Sequence, residues 1–324
     1  MKYLLLFIVL SCAHHPSDPS GRTPSGKNLV MSFGQLKERL ERAAPGERIL
    51  IDKYVMFNMT DEETLVIDRP VTLEGYPDPG ENERPTFFHL GKALPIFTIK
   101  SPNVKLIGLK FEGVEKDSKK DEIIRLNSQG VKGVYKFPVT RGVDVNASDV
   151  EIRNCEFEGF SHSAIFVTSA KNVLVDLNYI HHNQRWGLGY GIALNLGSTA
   201  KITRNTFDYN RHSIAGTGHS GQSYEASYNV FGVHHIDTPL DMHGGKDRGD
   251  KTQIAGKRVV IHHNEIKGTS VSAFIHRGIA EESVEFFANV LYFKDQDKAI
   301  GYYNGVTKKN LPKEKFKYDG NYFK

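Results

Sequence analysis

The run DTPLDMHGG at 237–245 follows VHH at 233–235 and places three imidazoles, two carboxylates and a glycine pair in one short segment. An imidazole beside a carboxylate is the pairing that general acid–base chemistry uses. The carboxylate fixes which ring nitrogen carries the proton, and the other nitrogen exchanges one near neutral pH. Asp241 and His243 are two residues apart, so on a β-strand they project from one face. His234, Asp237, Asp241 and His243 are also ligand types for zinc or another divalent cation. Their spacing matches no dedicated motif, however, and a hydrogen-bonded His/Asp turn without metal accounts for them more simply. Upstream, RHSIAGTGHSGQSYEA at 211–226 adds Arg211, His212, His219, Tyr224 and Glu225 among small residues, and Arg277 lies downstream.

What these groups can do depends on the elements that hold them. SFGQLKERLERAAPGERILI at 32–51 has apolar residues at Phe33, Leu36, Leu40 and Ala43, with Ser32 as N-cap and Pro45-Gly46 as the stop, which predicts a short helix. From there on the chain gives short β-forming runs separated by Gly and Asn, with no second helical stretch of comparable length. The runs superimpose: VKLIGLKF ends at Phe111, VEIRNCEF at Phe157, VLVDLNYI at Ile180, AKITRNTF at Phe207, YEASYNVF at Phe231, RVVIHHNEI at Ile266 and VEFFANVL at Leu291. Asn178, Asn205, Asn229, Asn264 and Asn289 each sit two places before the closing apolar residue, at intervals of 27, 24, 35 and 25 residues. Such a repeat predicts the coils of a parallel β-solenoid. An inward Asn at each bend would bond its own backbone and the Asn of neighbouring coils. Cys155 occupies the same slot and reads as a small buried ladder residue.

With IHHN at 180–183 and 261–264, GYGIAL, and the opening helix leading into APGERILI, the chain resembles right-handed parallel β-helix proteins over roughly residues 45–300. The fold expected is therefore all-β: a single-domain right-handed parallel β-helix over 29–324 with an N-terminal capping helix. The resemblance is to a pectate-lyase-like scaffold dominated by extracellular polysaccharide lyases, glycoside hydrolases and epimerases, which implies a polysaccharide as partner, including an acidic one. No catalytic residue carries over from these motifs, because many chemistries share the scaffold.

Two segments break the period: 114–140, a charged excursion, and the 35-residue interval between Asn229 and Asn264 that contains the His/Asp run. Insertions into a solenoid become loops on one side, where binding grooves form. Aligning Ile165, Ile192, Ile214 and Met242 as inward residues turns Asp241 and His243 outward together, with Arg211 and Ser213 on the coil before and Arg277 on the coil after. On this register an elimination on an acidic glycan would use His243 as base oriented by Asp241. Arg211 and Arg277 would bind the uronate, Tyr224 or His219 would be the proton donor, and Glu225, Trp186 and Tyr190 would flank the substrate. Hydrolysis would instead draw a carboxylate pair from Asp237, Asp241 and Glu225. A noncatalytic carbohydrate-binding or adhesion module would use Trp186, Tyr190, Tyr302 and Tyr303 as sugar platforms.

The N-terminus MKYLLLFIVLSC has one lysine and an apolar run far short of the ~20 residues a membrane span needs, which reads as an export signal. VLSC resembles a bacterial lipobox, with Cys12 as the lipidated first residue of the mature chain; cleavage after Ala13 is the competing reading. Residues 1–12 are then a signal, and 13–28, rich in Pro, Ser and Gly, a flexible tether. The protein is expected outside a bacterial inner membrane, periplasmic or at the cell surface, touching lipid only through Cys12, as a monomer. With Cys12 acylated, Cys155 has no intramolecular partner. Lys plus Arg exceed Asp plus Glu by only 42 to 38, too little for a phosphate-tracking surface, so nucleic acid is excluded as partner. The lysine-rich tail 307–324 reads as a cap on the last coil.

Overall fold

The computed structural model describes residues 29–76, 83–91, 93–268, 271–293 and 296–324. Cys12 and the tether 13–28 lie outside the described residues. Three parallel sheets of ten, ten and nine strands make up the body among the described residues. The chain visits them in rotation: Val173–Asp176 lies in the first sheet, Tyr179–His181 in the second, Tyr190–Asn195 in the third, and Thr199–Thr203 returns to the first. Each coil stacks in register on the last, so Phe157, Ile180, Phe207 and Phe231 form one inward column. The rings of Phe57, Phe87, Phe111 and Phe157 stack along its N-terminal half.

The Asn column explains how most of the bends turn on residues other than glycine. At five successive bends from first to second sheet one non-glycine residue has a left-handed backbone, Leu177, Arg204, Tyr228, His263 and Ala288, with φ between 52° and 57°. That conformation costs roughly 1–2 kcal/mol for an L-residue. The Asn that follows offsets it: Asn229 Oδ1 accepts from the Asn205 N–H at 2.9 Å and Nδ2 at 3.0 Å, and Asn229 Nδ2 donates to Ile202 O and Asn264 Oδ1. The ladder runs from the Cys155 amide, bonded by Asn178, to Asn321. Cys155 itself is buried, and burial pushes its thiol up to about 12. The helix Phe33–Arg42 closes the N-terminal end, with the Ser32 hydroxyl accepting from the Gln35 N–H and Leu36 and Leu40 buried against the first coil.

The excursion contains a second helix, Lys120–Ser128, almost as long as the first, where the sequence pattern predicts none. Only Ile123 of this helix is buried, and its apolar residues Ile123, Ile124 and Leu126 fall within four positions, too short a run to show a helical repeat. Tertiary contacts hold it in place. Arg185, 1% exposed, donates to both oxygens of Glu115 and to the carbonyls of Val134, Phe137 and Pro138, clamping the excursion beside the connection between second and third sheets.

In the third sheet Ile214 pairs with Leu240, not with Met242, which instead faces Gly216. The expected alignment is therefore shifted by two residues. A shift of two preserves which face each residue occupies, so Asp241 still points outward and Met242 inward. The expectation for Ser213 fails for a different reason. The amides of Ser213 and Ile214 both donate to Pro239 O, a bulge that breaks the alternation. Ser213 is buried, and His212 takes the outward position beside Asp241.

Candidate active site on the third sheet

Asp241 lies on the outer face of the strand Leu240–Met242, with no exposed surface, beneath three cationic or potentially cationic groups. Arg277, on the next coil, donates through Nε to Oδ1 at 2.8 Å and through Nη2 to Oδ2 at 2.7 Å. His243 Nε2 is 3.0 Å from Oδ2 and His212 Nε2 3.4 Å from it. Burial opposes the charge on Asp241, but His243, His212 and Arg277 outweigh it and hold the carboxyl far below the usual carboxylate range. The carboxyl is therefore held as an anion near neutral pH and orients its neighbours. His243 keeps part of its side chain open to solvent. In the tautomer that donates Nε2–H to Asp241, Nδ1 is the ring nitrogen that can accept a proton.

Around this centre Arg211 Nη2 lies 3.3 Å from Asp237, and the same Asp237 carboxylate is 3.8 Å from His212 Nε2. His212 is fully buried, with Nδ1 against Thr238 O, and burial, helped by Arg211, brings its pKa down to about 4. The Tyr190 ring stacks on His212 at 5.8 Å, and the Arg211 guanidinium sits 5.9 Å from the same ring. Burial raises the Tyr190 phenol, so it stays protonated. Arg277 also covers the exposed ring of Tyr303 at 5.4 Å.

The residues expected to assemble here divide. Asp241, His243 and Arg277 come into direct contact, Arg211 joins through Asp237, and Tyr190 joins through His212. His219 stands at the edge of the same coil, its Nδ1 2.8 Å from the Thr217 hydroxyl. Tyr224 does not belong. It is 2% exposed on the inward side of the first-sheet strand Ser223–Ser227, out of a substrate's reach. Glu225 faces outward from that other sheet, beside Lys201 and His262, which removes it from any carboxylate pair with Asp241. Trp186 lies under Lys120 of the excursion, whose Nζ is 4.4 Å from its ring, instead of presenting an open platform. Tyr302 is half-buried against Phe316. His234 turns to the second sheet, where its Nδ1 meets Asp208 at 2.9 Å and its ring stacks on Tyr209. The metal set His234, Asp237, Asp241, His243 is therefore not brought together. Among the described residues the cluster with ligand atoms within 4.8 Å of one another is Glu158, His181 and His182. Lys110 and Lys116 already hold that Glu158 at 2.8 and 3.0 Å, which leaves it little charge to offer a cation.

The sequence places His212 among the nearby groups but gives it no role, because the bulge that turns it outward leaves no mark in the local composition. The sequence reading also passed over a second Arg–Asp pair on the same face, Arg141 and Asp144, joined by two contacts of 2.8 Å.

The model of the right handed beta helix region family matches residues 139–308, which includes every residue of the site. The chain belongs to the right-handed β-helix family. Among solved structures this β-helix is similar to the alginate lyase from Paenibacillus sp. str. FPU-7, at 14% identity and a TM-score of 0.59, covering 91% of this chain and 94% of that one. It is similar too to endopolygalacturonase I from Stereum purpureum, at 14% identity, covering 91% and 98% with a TM-score of 0.36. The A-module of the mannuronan C-5 epimerase from Azotobacter vinelandii also aligns, at 10% identity, covering 89% and 92% with a TM-score of 0.34. No curated protein matches the sequence.

Proposed function

We propose that this β-helix protein is a polysaccharide lyase that cleaves an acidic glycan by β-elimination. The observation that carries the reading is a solvent-reaching His243 held by a fully buried Asp241, with Arg277 and Arg211 on the same outer face. In such a step the His243 Nδ1 takes the proton from the carbon next to the uronate carboxylate. The electron pair forms the new C=C bond, the glycosidic C–O bond breaks, and the leaving oxygen takes a proton from a donor. Tyr190 replaces Tyr224 as that donor, because its phenol lies on this face and is kept protonated by burial. Arg211 is the cation better suited to the uronate carboxylate, since Arg277 is committed to Asp241 by two hydrogen bonds whereas Arg211 meets Asp237 through one contact at 3.3 Å.

Elimination is favoured over hydrolysis by the state of the carboxylates. Glycoside hydrolysis needs one carboxyl kept protonated near its leaving group, whereas Asp241 is held ionised, Asp237 is paired with Arg211 and Glu225 lies on another sheet. Export and lipid anchoring through Cys12, with the β-helix facing a polysaccharide outside the inner membrane, accord with the lipobox-like VLSC and the Pro/Ser/Gly tether. A screen on acidic and neutral polysaccharides, following absorbance of unsaturated ends and new reducing ends, tests the proposal. Unsaturated products that fall by roughly 10²–10⁴-fold in His243→Ala are expected. Reducing ends without unsaturation would reject elimination, and binding without any product would leave a carbohydrate-binding module.

A further inference from the structure

The C-terminal coil of the solenoid is paired on one side only among the described residues. Ile300–Tyr302 is the outermost strand of the third sheet, Phe316–Asp319 of the first and Tyr322–Phe323 of the second. The inward row of this coil continues the core, because Tyr302 stacks in register on His276, Phe316 on Val284 and Tyr318 on Phe286. The Tyr318 ring lies 5.6 Å from Phe286, and Tyr302 tilts against Phe316 at 6.4 Å. Between these rings and the segment 308–313 is a cavity of about 380 Å³, with Ile300 and Leu311 in its wall and Lys308 and Lys313 on its flank. That volume falls at the small end of the ~300–1,000 Å³ typical of small-ligand sites, and the lining is of the same kind, apolar and aromatic with a few polar groups.

Two of those polar groups are uncommitted. The Tyr318 hydroxyl is buried with no hydrogen-bond partner, close enough to Tyr302 and Asp297 to feel both. Burial pushes this phenol up to about 12, so it keeps its proton and can donate. A buried hydroxyl left unpaired costs free energy that a ligand acceptor would recover. Lys313 is exposed and makes no ion pair among the described residues, whereas Lys308 is held by Asp297 at 3.1 Å. A free cation, a free hydroxyl donor and three aromatic rings therefore converge on one small space.

We infer that this cavity binds a small aromatic carboxylate, with the ring among Tyr302, Phe316 and Tyr318 and the carboxylate taken by Lys313 and the Tyr318 hydroxyl. The site lies on the inner side of the coil, since Tyr302 follows the buried His276, and so is separate from the outer face that carries Asp241 and His243. It stands independently of the lyase reading. A sugar acid would bring the same anion, but its ring hydroxyls would meet mostly apolar walls, and each one buried without a partner costs affinity. An aromatic ring carries no such groups and gains offset or edge contacts with the three rings. Its carboxylate is the acceptor that both free donors lack, and hydrogen bonds to an ionised group are the stronger kind.

Ligand-observed NMR titrations of the whole protein with benzoate, its neutral isostere benzamide, and glucuronate test the assignment. Benzoate is expected to bind about fivefold or more tightly than benzamide, the gain one hydrogen bond to a charged group supplies. Lys313→Gln, on an exposed side chain, should erase that difference and leave benzamide unchanged. Tyr318→Phe keeps the ring in place and should weaken both aromatic ligands, and Leu311→Trp, which fills the cavity, should abolish their binding. His243→Ala should bind benzoate as the unaltered protein does, which places the ligand away from the outer face whether or not the protein is a lyase. Benzoate bound no better than benzamide, an unaltered affinity in Lys313→Gln, a loss in His243→Ala, or no binding of either aromatic ligand would overturn the site. Glucuronate bound more tightly than benzoate, with the same dependence on Lys313, would overturn the aromatic assignment in favour of a sugar acid.

Discussion

Replacing Arg277 by Met removes both charge-assisted hydrogen bonds that reach a carboxylate with no exposed surface, and leaves Asp241 facing only His243 and His212. Breaking a buried ion pair from one side costs about 3–5 kcal/mol, because the orphaned charge stays desolvated. Two observations place this case at the low end. Arg277 is 16% exposed, and His243 Nε2 remains 3.0 Å from the carboxylate, so about 3 kcal/mol is expected. Urea unfolding read at unchanged m-value measures it. The same substitution made together with Asp241→Asn should cost well under the sum of the singles, with a coupling of roughly 1.5 kcal/mol or more, because the double variant buries no unpaired charge. Additivity within ~0.5 kcal/mol, or a loss below ~1 kcal/mol for Arg277→Met alone, would refute the view that Asp241 is an anion held by its neighbours.

Acid should weaken the fold before it titrates the carboxylates. His276 is 1% exposed on the inward side of its strand, and burial lowers its pKa from 6.5 to about 4. Between those values the unfolded chain binds the extra proton and the native one does not, so stability falls as pH drops through that window, by about 2–3 kcal/mol for this residue at pH 4.5. His276→Leu should flatten the stability profile between pH 7 and 4.5 by that amount, and an unchanged profile would count against a neutral buried imidazole. Asp241, whose pKa is depressed, adds stability that is present above its unfolded pKa of ~3.9 and is lost only as pH falls further. Asn229→Ala deletes four ladder hydrogen bonds and strands the buried Asn205 N–H, for an expected loss of about 3 kcal/mol in the same unfolding assay. Arg185→Leu should release the excursion from Glu115, seen as faster proteolysis within 114–140 with the Asn ladder still protected from hydrogen exchange.

The solenoid was legible because its period is written in residue types that face inward, where the physics is local and repeated. Each Phe or Ile column and each Asn must match the coil above and below, and a pattern repeated at seven bends survives one irregular interval. The site was legible only where it obeys plain alternation. Asp241 and His243 share a face for that reason, and Arg277 follows from the next coil. Tyr224 was misplaced because proximity along the chain to Arg211 says nothing about which of three sheets a residue joins: the bend at 217–222 carries it to the first sheet and inward.

His212 shows the complementary limit. Its outward position is produced by one extra residue in the strand, which is set by where the Pro239 carbonyl meets two amides and not by the identity of Ser213. That single irregularity changes the electrostatics of the site. Without it His212 would face the apolar core. With it, a neutral imidazole is wedged between Asp237 and Asp241 and supports the Tyr190 ring. The bulge therefore joins the Asp241–His243 pair to the Tyr190 ring, so under the proposed lyase reading a change that straightens the strand would be felt in proton transfer at both His243 and Tyr190.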